Sequence, residues 1–237
     1  MSELYVGFDR DGTIDLPHLP VPRELGVQLQ LLQEEGVKLF VASGKSYRFL
    51  QSVCAELDVM PWMYCCENGG HIVIPGKGIE KIHRVDDSLQ RFIAAADQLP
   101  LPPSQDEPKY SIWSKRFGVG APMAKPIIEA FIAREGLSLD VFAYPDGAID
   151  VVPPGIDKAN ALAYIPSSAS VHFFGDGEND LGIMRHPNVI PHTVLNGADV
   201  VKDCVTSKGG RVAGLPAGHG VLELLRQLQA TWMPVSA

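Results

Sequence analysis

Four polar clusters and one lysine carry the side chains best suited to chemistry. They are "DRDGT" (Asp9–Thr13), "SGKS" (Ser43–Ser46), "ENGG" (Glu67–Gly70), "GDGEND" (Gly175–Asp180), and Lys158 within "PPGIDKANAL". Asp9 and Asp11 stand two residues apart, which suits a division of labour. One carboxylate, ionised, can serve as nucleophile or ligand while the other holds a proton for general acid and base work. Asp176 and Asp180 add hard oxygen donors of the kind Mg2+ prefers. Ser43 and the N–H of Gly44 open a helix after an apolar run, an arrangement that attracts anions. Each cluster alone has a plainer explanation. Asp11-Gly12 is an ordinary turn, Ser43 an ordinary cap, and Asp180 a carboxylate favoured in a first helical turn. Their joint occurrence, each just after a strand-like run, is what argues for one shared site.

Two tempting motifs fail. Gly44-Lys45-Ser46 matches the end of a nucleotide P-loop, but the first glycine of that motif falls on Leu39, inside the apolar run "VKLFVA". "CVTSKGGR" (Cys204–Arg211) resembles a cysteine-phosphatase loop, yet six residues separate Cys204 from Arg211. The seven histidines show no H-x-H or H-x-x-x-H spacing for a metal.

The totals narrow the setting. With 237 residues, 46% hydrophobic, the chain accommodates one large domain or a core with a modest second domain. A net charge of −8 opposes nucleic-acid binding through a broad basic face. It permits a small anionic substrate if metal ions neutralise the site. Glu3 and Asp9 interrupt the start "MSELYVGFDRDG" where a secretion signal needs an apolar segment. No apolar run approaches the roughly 20 residues of a membrane span. The four cysteines form no C-x-x-C pair, so reduced thiols in a cytoplasmic monomer or homodimer are expected.

The elements that must position these clusters follow from the apolar pattern. "LYVGF", "VKLFVA", "WMYCC" and "SVHFFG" read as buried strands. Arg23–Glu35 and Ser46–Leu57 read as helices between them, and a helix carrying Leu181 and Met184 follows the fourth strand. Near-continuous apolar strands joined by helices imply an α/β fold whose parallel sheet is covered on both faces. Such sheets gather ligands at the carboxyl ends of their strands, where all four clusters stand. The middle of the chain differs. A helix over Asp86–Gln98, the Pro-rich "LPLPPSQDEP", an alternating strand "YSIWS", a helix over Pro122–Arg134 and a hairpin turning at Pro145–Gly147 suggest an inserted α+β unit. The expected division is a core over residues 1–80 and 154–237, with the insertion over 81–153.

Together, "DRDGT", "SG", Lys158 and "GDGEND" resemble the haloacid-dehalogenase superfamily of phosphatases, whose hallmarks are D-x-D-x-T, a Ser/Thr after the second strand, a Lys, and G-D-x-x-x-D. The resemblance spans nearly the whole chain. The place of the insertion is similar to that of the α/β cap in the Cof-type subgroup. Within it, "ENGG" followed by "HIVIPGKGIEKI" is similar to archaeal-type phosphoglycolate phosphatases, mannosyl-phosphoglycerate phosphatases and sucrose-phosphate phosphatases. The resemblance implies a Rossmann-like core and a Mg2+-dependent phosphatase acting on a small phosphorylated metabolite, such as phosphoglycolate or a sugar phosphate. A phosphosugar mutase using the same nucleophile and a non-catalytic phospho-metabolite sensor are the alternatives.

Asp9 is the expected nucleophile and Asp11 the expected general acid and base. Asp9, the backbone carbonyl of Asp11, and Asp176 bind Mg2+, with Asp180 completing the shell or holding a metal-bound water. Ser43, Gly44 and Lys158 hold the transferring phosphoryl group. Lys158 follows Asp157, a suitable N-cap, so its ammonium would oppose the helix dipole at a cost on the order of 0.3–1 kcal/mol. A neighbouring anion would remove that cost. Asn68 either faces substrate or merely belongs to a tight turn with Gly69 and Gly70. Arg116 either pairs a substrate carboxylate or second phosphate, or lies in a solvated loop. Asn179 is a weaker candidate for substrate contact. Lys45, in the position where many relatives place Arg, either touches phosphate or lies in solvent.

Overall fold

A computed structural model describes residues 3–144 and 146–232. Pro145, expected in the hairpin turn, lies outside the described residues. The first apolar run forms β1 (Leu4–Phe8). Helix α1 (Arg23–Glu34) buries Leu25, Leu29 and Leu32, and Gly36 turns the chain back with φ +87°. Strand β2 (Lys38–Ala42) leads to α2 (Tyr47–Glu56), which Ser46 precedes in extended conformation. Strands β3 (Met63–Cys66), β4 (His71–Ile74) and β5 (Ile79–Ile82) follow. Next come α3 (Asp87–Ala96), β6 (Gln105–Asp106), β7 (Trp113–Arg116), α4 (Ala121–Glu135), β8 (Asp140–Ala143) and β9 (Ala148–Val152). Then follow β10 (Ser170–Phe174), α5 (Leu181–Arg185), β11 (Val189–Thr193), α6 (Asp199–Ser207), β12 (Arg211–Val212) and α7 (Ala217–Trp232).

These strands make two sheets. The larger runs β12-β11-β10-β1-β2-β3-β4-β5; its first six strands are parallel, and β4 and β5 add an antiparallel edge. Alternation along β1 sends Val6 and Phe8 into a core with α1 and α7, and Tyr5 into the core on the other face with Phe40, Phe173 and Ile183. Burial on both faces explains why the parallel strands read as continuous apolar runs. The smaller sheet, β6-β7-β9-β8, is antiparallel. It packs Trp113, Ile149 and Val151 against Phe92 of α3 and Ile128 of α4.

Some sequence expectations shift. The strand expected at "YSIWS" begins three residues later, because Tyr110 and Ser111 instead donate their N–H groups to the buried Glu67 carboxylate, at 2.9 and 2.7 Å. "KANALAY" winds as a seven-residue 3-10 turn rather than an α-helix, although Asp157 does cap it by accepting from Ala159 N–H at 2.6 Å. β5 runs past residue 80, so the larger sheet continues into the first residues of the expected insertion.

Candidate active site

Strand order in the larger sheet reverses at β1. Its neighbours are β2 on one side and β10 on the other, with Phe8 opposite both Val41 and Phe174. Connections leaving such a switch point diverge to opposite faces and open a crevice at the carboxyl ends. Asp9 follows β1, Ser43 follows β2, and Asp176 lies just beyond β10. The three are therefore brought to one crevice although 133 positions separate Ser43 from Asp176.

Asp9 extends the ladder by one bond, its N–H donating to the Phe174 carbonyl at 2.8 Å, and its side chain is buried. Lys158 Nζ bonds Asp9 at 2.8 Å and Asp180 at 2.7 Å. The other oxygen of Asp180 accepts from the N–H groups of Asp176 and Gly177, both at 3.0 Å, which fixes the loop after β10. Thr13 Oγ1 donates to Asp176 at 2.8 Å. Gly12, at φ +87°, lies so close that a Cβ there would stand 2.1 Å from the Asp176 carboxylate. Carboxylate oxygens of Asp9, Asp176 and Asp180 all lie within 4.8 Å of one another.

Three carboxylates against one ammonium leave two negative charges to be balanced in a buried site. Burial, reinforced by the other carboxylates, raises Asp9 well above the usual carboxylate range even though Lys158 opposes the shift. Burial and then Asp180 push Asp176 up to about 7. Burial alone would lower Lys158, but Asp180 and Asp9 more than reverse it and hold the ammonium charged. Hard oxygen donors with a deficit of two positive charges fit a divalent cation such as Mg2+.

The Asp11 side chain turns away from that cluster. It pairs with Arg10 and lies 3.6 Å from Lys45 Nζ. Lys45 is buried, not solvated, and its ammonium also reaches Asp146 at 3.1 Å. Ser43 is buried, and its hydroxyl accepts from the Lys45 N–H at 3.3 Å. Gly44 passes beneath the β8–β9 hairpin, where a Cβ would stand 2.6 Å from Asp150. Asn68 adopts φ 55° in the turn after β3. Its amide donates to Tyr144 at 3.0 Å and to Asp150 at 3.1 Å, and its carbonyl accepts from Asn179 at 3.1 Å. Asn68 and Asn179 therefore lie together, linked to the smaller sheet. Arg116 stands apart from the Asp9 cluster, bonded to Asp146 at 2.6 Å and to Glu107. Two cavities adjoin Asp11. One of about 250 Å³ is bounded by Arg10, Lys45, Arg116 and Asp146, and one of about 380 Å³ by Asp176, Asn179, Lys125 and Tyr144.

Several polar residues around this crevice escaped the sequence analysis. Asp150 is buried in β9 and pairs with Lys109 at 3.0 Å. A carboxylate at the centre of the apolar run "AIDVV" was a legible signal. Tyr144 and Asp146 carried none, since only the position of the hairpin gives them meaning.

A family model described as haloacid dehalogenase-like hydrolase matches residues 6–115 and 104–207. A phosphomannomutase of Arabidopsis thaliana is 27% identical over 235 residues, covering 83% of this chain and 93% of the relative. Among solved structures, a Thermoplasma acidophilum protein superposes with a TM-score of 0.78 at 14% identity, covering 97% of this chain and 99% of that one. The sucrose-phosphatase of Synechocystis sp. PCC6803, solved with sucrose and phosphate, does so with a TM-score of 0.70 at 19% identity, covering 97% and 99%.

Proposed function

The chain belongs to the family of haloacid dehalogenase-like hydrolases, and from that premise we propose that it is a Mg2+-dependent phosphomonoesterase for a small phosphorylated metabolite. The observation that carries the proposal is the buried Asp9 carboxylate, held by Lys158 at 2.8 Å within a triad of aspartates. Phosphoglycolate or a sugar phosphate is the substrate class. The residues after β5, from 83 to 153, act as a cap over the core that precedes and follows them. The four cysteines form no disulfide, which supports a cytoplasmic setting.

Lys158 engages one oxygen of Asp9 and leaves the other to attack phosphorus. An oxygen–phosphorus bond forms on Asp9 as the bond to the leaving oxygen breaks, and Asp11 gives that oxygen its proton. Asp11 then takes a proton from water as the water attacks phosphorus and the Asp9 oxygen departs, releasing inorganic phosphate. Arg10 and Lys45 keep Asp11 oriented. Ser43, the Gly44 N–H and Lys158 bind the phosphoryl oxygens. Asp9, the Asp11 carbonyl, Asp176 and Asp180 would hold Mg2+, which supplies charge neutralisation to the phosphoryl group. Asn68 and Asn179 tie the core to the hairpin of the cap, and the closed cap excludes bulk water.

A second reading is a phosphosugar mutase, favoured by the phosphomannomutase similarity over most of the chain. Mixing the protein with Mg2+ and a panel of sugar phosphates separates the two. Stoichiometric release of inorganic phosphate without a bisphosphate activator supports the phosphatase. Isomerised phosphosugar that appears only with the activator supports the mutase.

A further inference from the structure

Asp146 stands between two cations that would otherwise face the leaving-group side of Asp11. Its carboxylate lies 3.1 Å from Lys45 Nζ and 2.6 Å from an Arg116 nitrogen. Lys45 above all, then the Ala148 N–H and Arg116, outweigh burial and hold this carboxyl down at about 2. The cavity they bound contains Arg10, Lys45 and Arg116 opposite Asp11, Asp15 and Asp146. Arg10 is spent on Asp11 and Asp15, and Arg116 takes Glu107 as well. Cations and carboxylates therefore balance. The other cavity beside Asp11 holds a single cation, Lys125, with Asp11, Asp176 and Glu178. Neither space offers surplus positive charge to a second anionic group.

We infer that Asp146 is a specificity-determining residue: by neutralising Lys45 and Arg116 it selects substrates whose leaving group is an uncharged polyol, and disfavours those bearing a carboxylate or a second phosphate. This rests on the phosphomonoesterase reading and narrows its substrate class to sugar or polyol monophosphates. A carboxylate flanked by an ammonium and a guanidinium complements neighbouring hydroxyls, since each hydroxyl both donates and accepts. A second anion would have to displace Asp146 from both partners or share them with it, and like charges so placed repel. The same balance disfavours the bisphosphate on which a mutase depends.

The test uses the full chain with Mg2+ and reads binding separately from turnover. Calorimetry on Asp9→Asn, which cannot form the covalent intermediate, measures affinity for glucose 6-phosphate, mannose 6-phosphate, phosphoglycolate, 3-phosphoglycerate and glucose 1,6-bisphosphate. The expected result is that at least one hexose monophosphate binds about tenfold or more tightly than every ligand with a second anionic group. Adding Asp146→Asn should shift that ratio by about tenfold toward the ligands with a second anionic group, with circular dichroism confirming the fold; Asp146→Glu should restore the original order. Tightest binding to phosphoglycolate, phosphoglycerate or the bisphosphate, no binding to any of the five, or a ratio unmoved by Asp146→Asn overturns the inference. Phosphate release by the unaltered protein is measured in parallel. If hexose monophosphates bind selectively but no phosphate appears, the phosphomonoesterase reading fails while the charge selectivity stands.

Discussion

The Nζ of Lys158 lies 2.8 Å from the Asp9 carboxylate, with side-chain exposures of 0% and 5%. An ion pair so deeply buried is costly to break from one side, because the surviving charge has no water to turn to. Lys158→Met should therefore unfold more easily by about 3–5 kcal/mol in Mg2+-free buffer, as measured by urea denaturation. Phosphate release should fall at least about 100-fold. Unchanged stability would mean that Asp9 and Asp180 do not depend on the ammonium.

Asp11 is paired with Arg10 and approaches Lys45 at 3.6 Å, away from the aspartate triad. If it donates the proton to the leaving oxygen, Asp11→Asn should slow hydrolysis of an alkyl phosphate by about 10²–10⁴-fold. The first step with p-nitrophenyl phosphate should suffer much less, since that leaving group needs no proton. Rapid-mixing kinetics on the two substrates read the difference. Equal losses in the first step would remove Asp11 from the acid role.

The triad's deficit of two positive charges makes Mg2+ a stabilising ligand. At a concentration 100 times its Kd, a ligand bound only by the folded state adds about 2.7 kcal/mol. Thermal unfolding should accordingly shift upward with Mg2+, and the shift should shrink in Asp176→Asn. Chelation should abolish phosphate release, and added Mg2+ should restore it. Full activity after exhaustive chelation would contradict the metal assignment.

His172 and His192 stack 5.2 Å apart between β10 and β11, with Nδ1 of the first 2.9 Å from Nε2 of the second. The Arg211 N–H donates to His192 Nδ1 at 3.2 Å, and the Trp232 indole N–H donates to His172 Nε2 at 3.1 Å. Burial lowers His172 to about 4, and burial with its neighbour lowers His192 to about 3. Both values lie below the unfolded value near 6.5. Above that pH both states are neutral and the pair costs nothing. Below it the unfolded chain binds protons that the folded chain refuses, so stability falls with pH until about 4 and about 3 are passed. Between pH 7 and pH 5 the loss should reach about 4 kcal/mol, and His172→Gln/His192→Gln should lack that part of it. Parallel pH profiles for the two proteins would refute it.

Much of the crevice was legible because it lies where apolar runs stop. Phe8, Ala42, Cys66 and Phe174 each end a strand, and the polar residues that follow are carried to the same edge by parallel pairing. The sequence marks Lys158 by its place in the family's motif set and by its position after the cap Asp157, which does cap the turn. Its turn is 3-10, and what distinguishes the lysine is complete burial between Asp9 and Asp180. The balance around Lys45 was not legible. Its partner Asp146 is 101 residues away, and local pattern does not reveal which edge of the larger sheet the hairpin covers. The same holds for Tyr144 and Asp150, whose meeting with Asn68 depends on how the second sheet rests on the first.

The covalent role of Asp9 is tested most directly by acid-quenching the protein within one turnover of a saturating hexose monophosphate, digesting it, and locating the phosphoryl group by mass spectrometry. The account predicts one phosphoryl group on the peptide containing Asp9, present during turnover and absent from Asp9→Asn. Phosphate released at the full rate with no such peptide, or with the group on another residue, would contradict it.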